Sequence, residues 1–257
     1  MIDIAELRAS RTGAKTVNIL PAIEDEDYEL AEEHKAEPIK SLETINRIST
    51  YLKDSSRYRD NMLFILGINF GLRISDILTL KFSRLINPDM TFKDTFAILE
   101  KKTKNTRKVR QNRYITINSA VRDAVTLYLE NTSGVRLSDF MFRSESNNGK
   151  DVNRPLARQS PDNILKGIAR DLHLNEKIAT HTLRKTFAYH QMLMSGNDSR
   201  KLLLLQKMFG HSSSMQTLTY IGITSEEISK AYSELNLGSE DVYLVNSNLF
   251  ETSEKVS

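Results

Sequence analysis

Cysteine is absent from all 257 residues. That absence removes disulfides, thiolate metal sites and cysteine nucleophiles, and it fits a reducing compartment, so a cytoplasmic location is expected. Long apolar runs are missing too. None reaches the ~18 residues that a membrane-crossing helix needs, and the best candidate, Met62 to Leu72, is interrupted by Gly67, Asn69 and Gly71. The N-terminus carries Asp3 and Glu6 and has no apolar core, so it does not read as a secretory signal. There is no Walker glycine-rich loop, no HExxH and no EF-hand loop. No cofactor, metal or membrane partner is therefore expected.

What is present is a segregated distribution of charge. The net charge of +3 conceals ten acids against four bases in residues 1–37, thirty-one bases against nineteen acids in 38–237, and four acids against one base in 238–257. A basic body between acidic ends points to a polyanion as its partner. Residues 24–37 hold eight acids and one base with few apolar positions, which is the composition of a disordered or loosely attached segment. Pro38 marks the expected boundary. The chain thus divides into an acidic N-terminal segment (1–37), a body (38–237) and a polar tail (238–257).

Within the body the pattern is mainly helical. Leu42, Ile45, Ile48 and Leu52 recur at helical spacing, and a second helix is expected from about Arg57 to Asn69, ending at Gly71. Ser75 is placed to cap a short helix holding Ile77, Leu78 and Leu80. Thr95–Leu99 and Arg113–Ile117 are rich in Thr, Phe, Ile and Tyr and read as strands. Between them lie Lys101, Lys102, Lys104, Arg107, Lys108 and Arg110, so a β-hairpin with a cationic tip is the simplest reading. Helices resume near Ser119. Another is expected to open with Ser160 as cap and Pro161 at its first position. Further helices are expected over Thr182 to Ser195, Asp198 to Phe209 and Ser213 to Tyr220, and a last one from the Thr224/Glu227 capping box to about Leu235. The expected fold class is mainly α with a small antiparallel β-sheet (α+β).

Four local signals carry chemistry. Gly71-Leu72-Arg73-Ile74-Ser75-Asp76 puts an arginine after a turn-permitting glycine at a helix start. His181-Thr182-Leu183-Arg184 sets His and Arg at i and i+3, on one helical face, with Leu183 and Phe187 turned to the core. Gly210-His211-Ser212-Ser213 is followed by Tyr220, nine residues past the histidine. The fourth is the cationic hairpin with Lys102. Taken alone, each has an ordinary reading as a surface arginine, a capping histidine, a half-buried tyrosine or a solvated charge run.

In this order the four signals together resemble the phage-integrase family of tyrosine recombinases. That family places an Arg in G-x-R-x-S-E, a Lys on a β-hairpin, then H-x-L-R, then G-H-S-S, then the tyrosine. The resemblance covers roughly Ser41 to Leu237. Asp76 departs from the family's usual Glu, Lys185 stands where a His is common, and the interval from His181 to His211 is about one helical turn longer than in many members. Most members also carry a separate helical DNA-binding domain ahead of the catalytic one. Residues 1–37 are too short and too acidic to be that domain.

The resemblance implies a catalytic-domain fold of the tyrosine-recombinase type and a site made of Arg73, Lys102, His181, Arg184, His211 and Tyr220. Attack on a phosphodiester builds charge on its non-bridging oxygens, and two guanidinium groups can grip them in a fork geometry. Arg73 and Arg184 would be that pair, both expected near a polar site and replaceable without collapse of the core. Lys102 would protonate the leaving oxygen, with Lys104 and Lys101 as rival assignments because hairpin register is not legible in sequence. Tyr220 would attack phosphorus, His181 would assist as a base or hydrogen-bond partner, and His211 would donate to the phosphate. The implied partners are double-stranded DNA, further copies forming a tetramer on two DNA sites, and accessory DNA-bending proteins. A type IB topoisomerase and a catalytically silent DNA-binding regulator are the competing readings.

Overall fold

The computed structural model describes residues 36–98, 113–144 and 153–222. These all fall within one unit of the chain, which begins at Ala36. The acidic N-terminal segment up to Lys35, the hairpin tip with Lys101, Lys102 and Lys104, and the helix expected after Thr224 lie outside the described residues. Among the described residues no helix is long and apolar enough to cross a membrane.

Helix α1 (Leu42–Asp54) starts where the Ser41 hydroxyl accepts the Thr44 N–H at 3.2 Å. Ile48 and Leu52 are buried and Ile45 packs beside them, but Leu42 in the first turn is exposed, so the apolar stripe is one turn shorter than its spacing predicts. Helix α2 (Tyr58–Phe70) is apolar nearly all round, as a helix enclosed by neighbours must be. It packs against α1, and also against α5 (Ser119–Glu130) and α7 (Thr180–Met194). Single-turn helices α3 (Ile74–Ile77) and α4 (Phe82–Leu85) lead into a two-stranded sheet. Strands β1 (Thr95–Ile98) and β2 (Arg113–Thr116) pair antiparallel, Thr95 opposite Thr116 and Ile98 opposite Arg113. The sheet is docked by Phe96, whose ring meets Phe70 edge-on at 5.3 Å, and by Arg113, which donates to the Phe70 carbonyl at 3.1 Å and so satisfies one orphan acceptor at the end of α2. Helices α6 (Ser160–Asp171), α8 (Ser199–Phe209) and α9 (Ser214–Ile221) complete the described residues.

Three apolar clusters hold these elements. The first joins α2 to the sheet and α5, around Leu66, Phe70, Phe96 and Val125. The second joins α1, α2 and α6 to the start of α7, around Ile48, Phe64, Leu165 and Leu183. The third is small and joins α7, α8 and α9 through Ala188, Met192, Leu205, Phe209 and Ile221. Helix α2 is therefore shared by the first two clusters, and α7 by the last two. The segment at Ile39, ahead of α1, belongs to this body as well: its N–H donates to Thr186 Oγ1 at 2.9 Å and its carbonyl meets His190 Nε2 at 3.0 Å.

Three expected helix starts shift for identifiable reasons. Arg73, not Ser75, is the extended residue ahead of α3, and Ser75 lies inside the helix. Gln159 already has helical dihedrals, so α6 begins at Ser160 and Pro161 takes the second position, where its missing N–H is still one of the unpaired four. Helix α7 begins at Thr180, two residues early, because the Thr182 hydroxyl reaches back to accept the Ala179 N–H at 3.1 Å. His181 is thereby carried into the first turn of the helix.

Candidate active site

The site forms where α7, α8 and α9 meet the start of α3, and Phe209 is its hub. Phe209 is the last residue of α8 and is buried. Its carbonyl accepts from Arg73 Nη2 at 3.4 Å. Its ring lies under the Arg184 guanidinium, 4.4 Å from the centroid. The same ring lies 5.4 Å from His211 and 5.4 Å from Tyr220, and those two rings are 5.0 Å apart. Four of the six residues singled out from sequence thus converge on one phenylalanine.

Each is delivered by local chemistry. Gly71, at φ +56°, closes α2 in the left-handed region and turns the chain so that Arg73 opens α3. Arg184 sits on α7 with 4% of its surface exposed. That is deeper than a polar-site position that could be emptied without touching the core. Gly210, at φ +69°, ends α8, and the following Gly-His-Ser-Ser turn is held by two glutamines. Gln206 donates to the His211 carbonyl at 3.4 Å and accepts from the Ser214 hydroxyl at 2.8 Å, while Gln216 accepts from the Ser212 N–H at 2.9 Å. Ser213 caps α9 through the Gln216 N–H at 3.1 Å. Helix α9 then brings Tyr220 back over Phe209.

His211 is fixed through Nδ1, which lies 3.0 Å from Thr217 Oγ1. The Thr217 hydroxyl also donates to the Ser213 carbonyl at 3.3 Å. A carbonyl only accepts, so a hydroxyl that serves both partners accepts from an Nδ1–H, and Nε2 is left with the lone pair. Burial first, and then the charges of Arg184 and Arg73, hold the imidazole below its ordinary pKa. The ring is neutral at neutral pH.

His181 stands one turn before Arg184 on α7 and is exposed. Lys102 lies outside the described residues, although the strands that lead toward it are paired as expected. Three contributors escaped the sequence reading. Phe209 looks there like a helix-terminal core residue. Thr217 carries no motif, although its six-residue interval from His211 sets it within reach of the ring. Lys185 registers only as a departure from a pattern, yet it is 7% exposed and its Nζ is 5.4 Å from the Tyr220 ring centroid. Among the described residues no group of three His, Cys, Asp or Glu side chains comes together as a metal site. What converges is cationic, with a tyrosine at its edge. Such an arrangement suits a phosphate ester set against an attacking hydroxyl.

The described residues thus form a mainly helical domain with one small antiparallel sheet, in which Arg73, Arg184 and Tyr220 gather at Phe209. The chain belongs to the phage integrase family, whose model matches residues 40–227. The probable integrase/recombinase YoeC of Bacillus subtilis (strain 168) is 35% identical over 199 residues, covering 77% of this chain and 96% of that protein. Tyrosine recombinase XerD of Halalkalibacterium halodurans is 27% identical over 187 residues, covering 72% of this chain and 56% of the relative. The chain therefore spans nearly all of the first relative and a little over half of the second. Among solved structures, XerA recombinase aligns over 78% of this chain and 66% of its own with a TM-score of 0.54 at 18% identity. XerH site-specific recombinase, bound to a palindromic difH substrate in a post-cleavage complex, aligns over 77% and 53% with the same TM-score at 17% identity. At those identities the likeness is one of fold, and it matches the mainly α class with a small sheet. The family makes this chain an enzyme of site-specific DNA recombination.

Proposed function

We propose that this chain cuts and rejoins double-stranded DNA at specific sites through a covalent phosphotyrosine on Tyr220. The observation that carries the reading is the convergence on Phe209 of Arg73, Arg184, His211 and Tyr220. Arg73 and Arg184 grip the non-bridging oxygens of the scissile phosphate. Tyr220 Oη loses its proton and bonds to phosphorus while the bond from phosphorus to a deoxyribose oxygen breaks. Lys102 protonates that leaving oxygen, with Lys104 and Lys101 as rivals, and His181 receives or relays the tyrosine proton. His211, on taking up a second proton, donates to the phosphate. The phosphotyrosine ester conserves the bond energy, so reversing the steps reseals a strand without ATP and without a metal ion.

Recombination joins two DNA sites, so the reading includes a tetramer assembled on them, assisted by DNA-bending proteins, in the cytoplasm and on the nucleoid when bound. It also keeps 38–237 as the catalytic body between an acidic segment (1–37) and a polar tail (238–257). DNA flanking the gene, searched for short inverted repeats, supplies the substrate. Incubated with such DNA nicked beside the cleavage position, the protein forms an adduct that survives denaturation, and Tyr220→Phe does not. An undiminished adduct in that variant removes Tyr220 as nucleophile, and Tyr232 is tested next.

A further inference from the structure

Among the described residues, the catalytic steps above give the buried cation Lys185 no task. Lys185 follows Arg184 on α7, and the two are 7% and 4% exposed. Arg184 lies over the ring of Phe209 at 4.4 Å, and the ammonium of Lys185 lies 5.4 Å from the ring centroid of Tyr220. Consecutive residues of one helix thus address two adjacent rings of one aromatic cluster. Burying an ammonium is costly, and a cation within about 6 Å of a ring centroid is attracted to it.

We propose that Lys185 is a positioning residue for the nucleophile: its ammonium holds the Tyr220 ring and stabilises the negative charge that grows on Oη as the proton leaves. The inference rests on the assignment of Tyr220 as nucleophile. The ring is bounded by His211 at 5.0 Å and Phe209 at 5.4 Å, so a cation at 5.4 Å completes a setting that limits its orientation. The charged and titratable groups described around Tyr220 are Lys185 from α7 and His211 from the turn before α9, with Arg184 and Arg73 beyond them at Phe209. A neutral phenol gains only a quadrupole attraction from the ammonium. A phenolate gains a charge–charge attraction as well, from an ammonium whose residue is almost fully buried. The interaction therefore strengthens on the way to the transition state, which is the condition for accelerating a step rather than only tightening a complex. As attack proceeds the phenolate charge passes into the P–O bond, the proton having left Tyr220 for His181 or solvent. Lys185 itself exchanges neither proton nor bond.

The test is single-turnover cleavage of nicked DNA across a pH series, with DNA affinity and melting temperature measured on the same variants. Lys185→Met keeps an unbranched buried chain and removes the charge. It is expected to cleave about tenfold more slowly at neutral pH, from the usual strength of a desolvated cation–ring contact. The rate should recover toward alkaline pH, while affinity and melting temperature change little. Lys185→Arg should restore most of the rate. Where the Met variant does not fold, Lys185→Gln carries the same expectation. A wild-type rate and an unshifted pH profile in the uncharged variant overturn the proposal. So does a loss equal at every pH, accompanied by a lower melting temperature and no rescue by arginine, since that pattern belongs to a structural lysine. Tyr220→Phe is run alongside. An adduct persisting there overturns the nucleophile assignment itself, whereas its disappearance together with an unaffected Lys185→Met overturns only the role of the lysine.

Discussion

The two halves of the site rest on different foundations. Arg184 stands on α7, which crosses α2 so closely that a methyl added at Gly67 would lie 2.5 Å from Leu183 Cδ1. Two large apolar clusters meet on α2. His211 and Tyr220 stand on the α8–α9 unit, whose cluster, shared with α7, has five buried residues among those described, and whose α9 buries Thr217 and Ile221. The proposed phosphate grip is thus anchored on the scaffold through Arg184, while the proposed nucleophile is carried on a short helix held, among the described residues, by a turn, a few polar bonds and a ring stack. Rigid placement serves a group that must match a fixed oxyanion geometry. Lighter anchoring suits the proposed nucleophile, which on that reading is joined to DNA and later released.

Removing the arginines should give the largest effects and should separate the two foundations. Arg73→Ala and Arg184→Ala are each expected to slow cleavage by roughly 10²–10³, the usual cost of losing one preorganised donor. Their stabilities should differ. Arg73 is half-buried, whereas Arg184 is almost fully buried on the Phe209 ring. Arg184→Ala should therefore lose about 1–3 kcal/mol of stability as well, within the range for emptying a packed site. Thermal unfolding of the two variants checks this, and equal melting temperatures would mean that both arginines sit on equally yielding ground.

Next in size is the hinge between scaffold and site. At Gly71 the φ of +56° is unfavourable for any side chain, and an added methyl would collide with the Phe187 ring. Gly71→Ala should cost about 1–3 kcal/mol from overpacking, on top of the left-handed strain. It should also lower cleavage, because Arg73 is two residues on. Gly196, at φ +62° with nothing within 4 Å of the added methyl, is the control. Gly196→Ala should show only the strain, about 1 kcal/mol, and leave cleavage unchanged. If both glycines behave alike in thermal melts and cleavage assays, the close α2–α7 contact is not what positions Arg73.

A smaller effect is expected on the lighter side. Thr217 is fully buried and its hydroxyl bridges His211 and Ser213. Thr217→Val keeps the shape and removes the bridge, at a cost of about 1 kcal/mol. The freed imidazole should lower cleavage several-fold, and Thr217→Ser should restore it. An unaltered rate in the valine variant would show that the ring stack alone orients His211.

Much of this was legible in the amino-acid order. The helical spacing of Ile45, Ile48 and Leu52, the paired strands and the glycines closing α2 and α8 follow from local rules that need no tertiary information. So did the order of Arg73, Arg184, His211 and Tyr220. Phe209 as the hub was not legible, because its role comes from four elements meeting at one ring, and nothing within a few residues of it encodes that. The burial of Arg184 and Lys185 was hidden for the same reason, since a helix with cations on one face reads as solvated until its neighbours are known. The helix starts near Ser75 and Ser160 moved by one or two residues because the serine nearest each start is not the residue that caps it, and the start at Thr182 moved two residues earlier. In α7 the Thr182 hydroxyl acts instead from inside the first turn.

The smallest expected effect concerns protons at the boundary between the two halves. His211 is held below its ordinary pKa, chiefly by burial and then by Arg184 and Arg73. The unfolded chain therefore binds this proton more readily than the folded one. Stability should fall as pH drops through the ordinary histidine range near ~6.5 and stay level above it. A bound phosphate changes the balance, because its charge offsets the two guanidinium groups that disfavour an imidazolium. With Nδ1–H given to Thr217, a neutral His211 has only a lone pair at Nε2 and cannot donate to the phosphate there. Donation requires a second proton. DNA binding should therefore take up a proton at His211, and affinity should rise as pH falls from ~7 toward ~6, by at most roughly tenfold per pH unit for one proton. Calorimetry in buffers of different ionisation enthalpy reads that uptake directly, and His211→Gln, whose amide donates at every pH, should abolish it. An uptake that persists in His211→Gln would assign the proton to another group. A wild-type protein with no uptake would mean that His211 meets the phosphate as a neutral ring, its tautomer reversed by the release of Thr217.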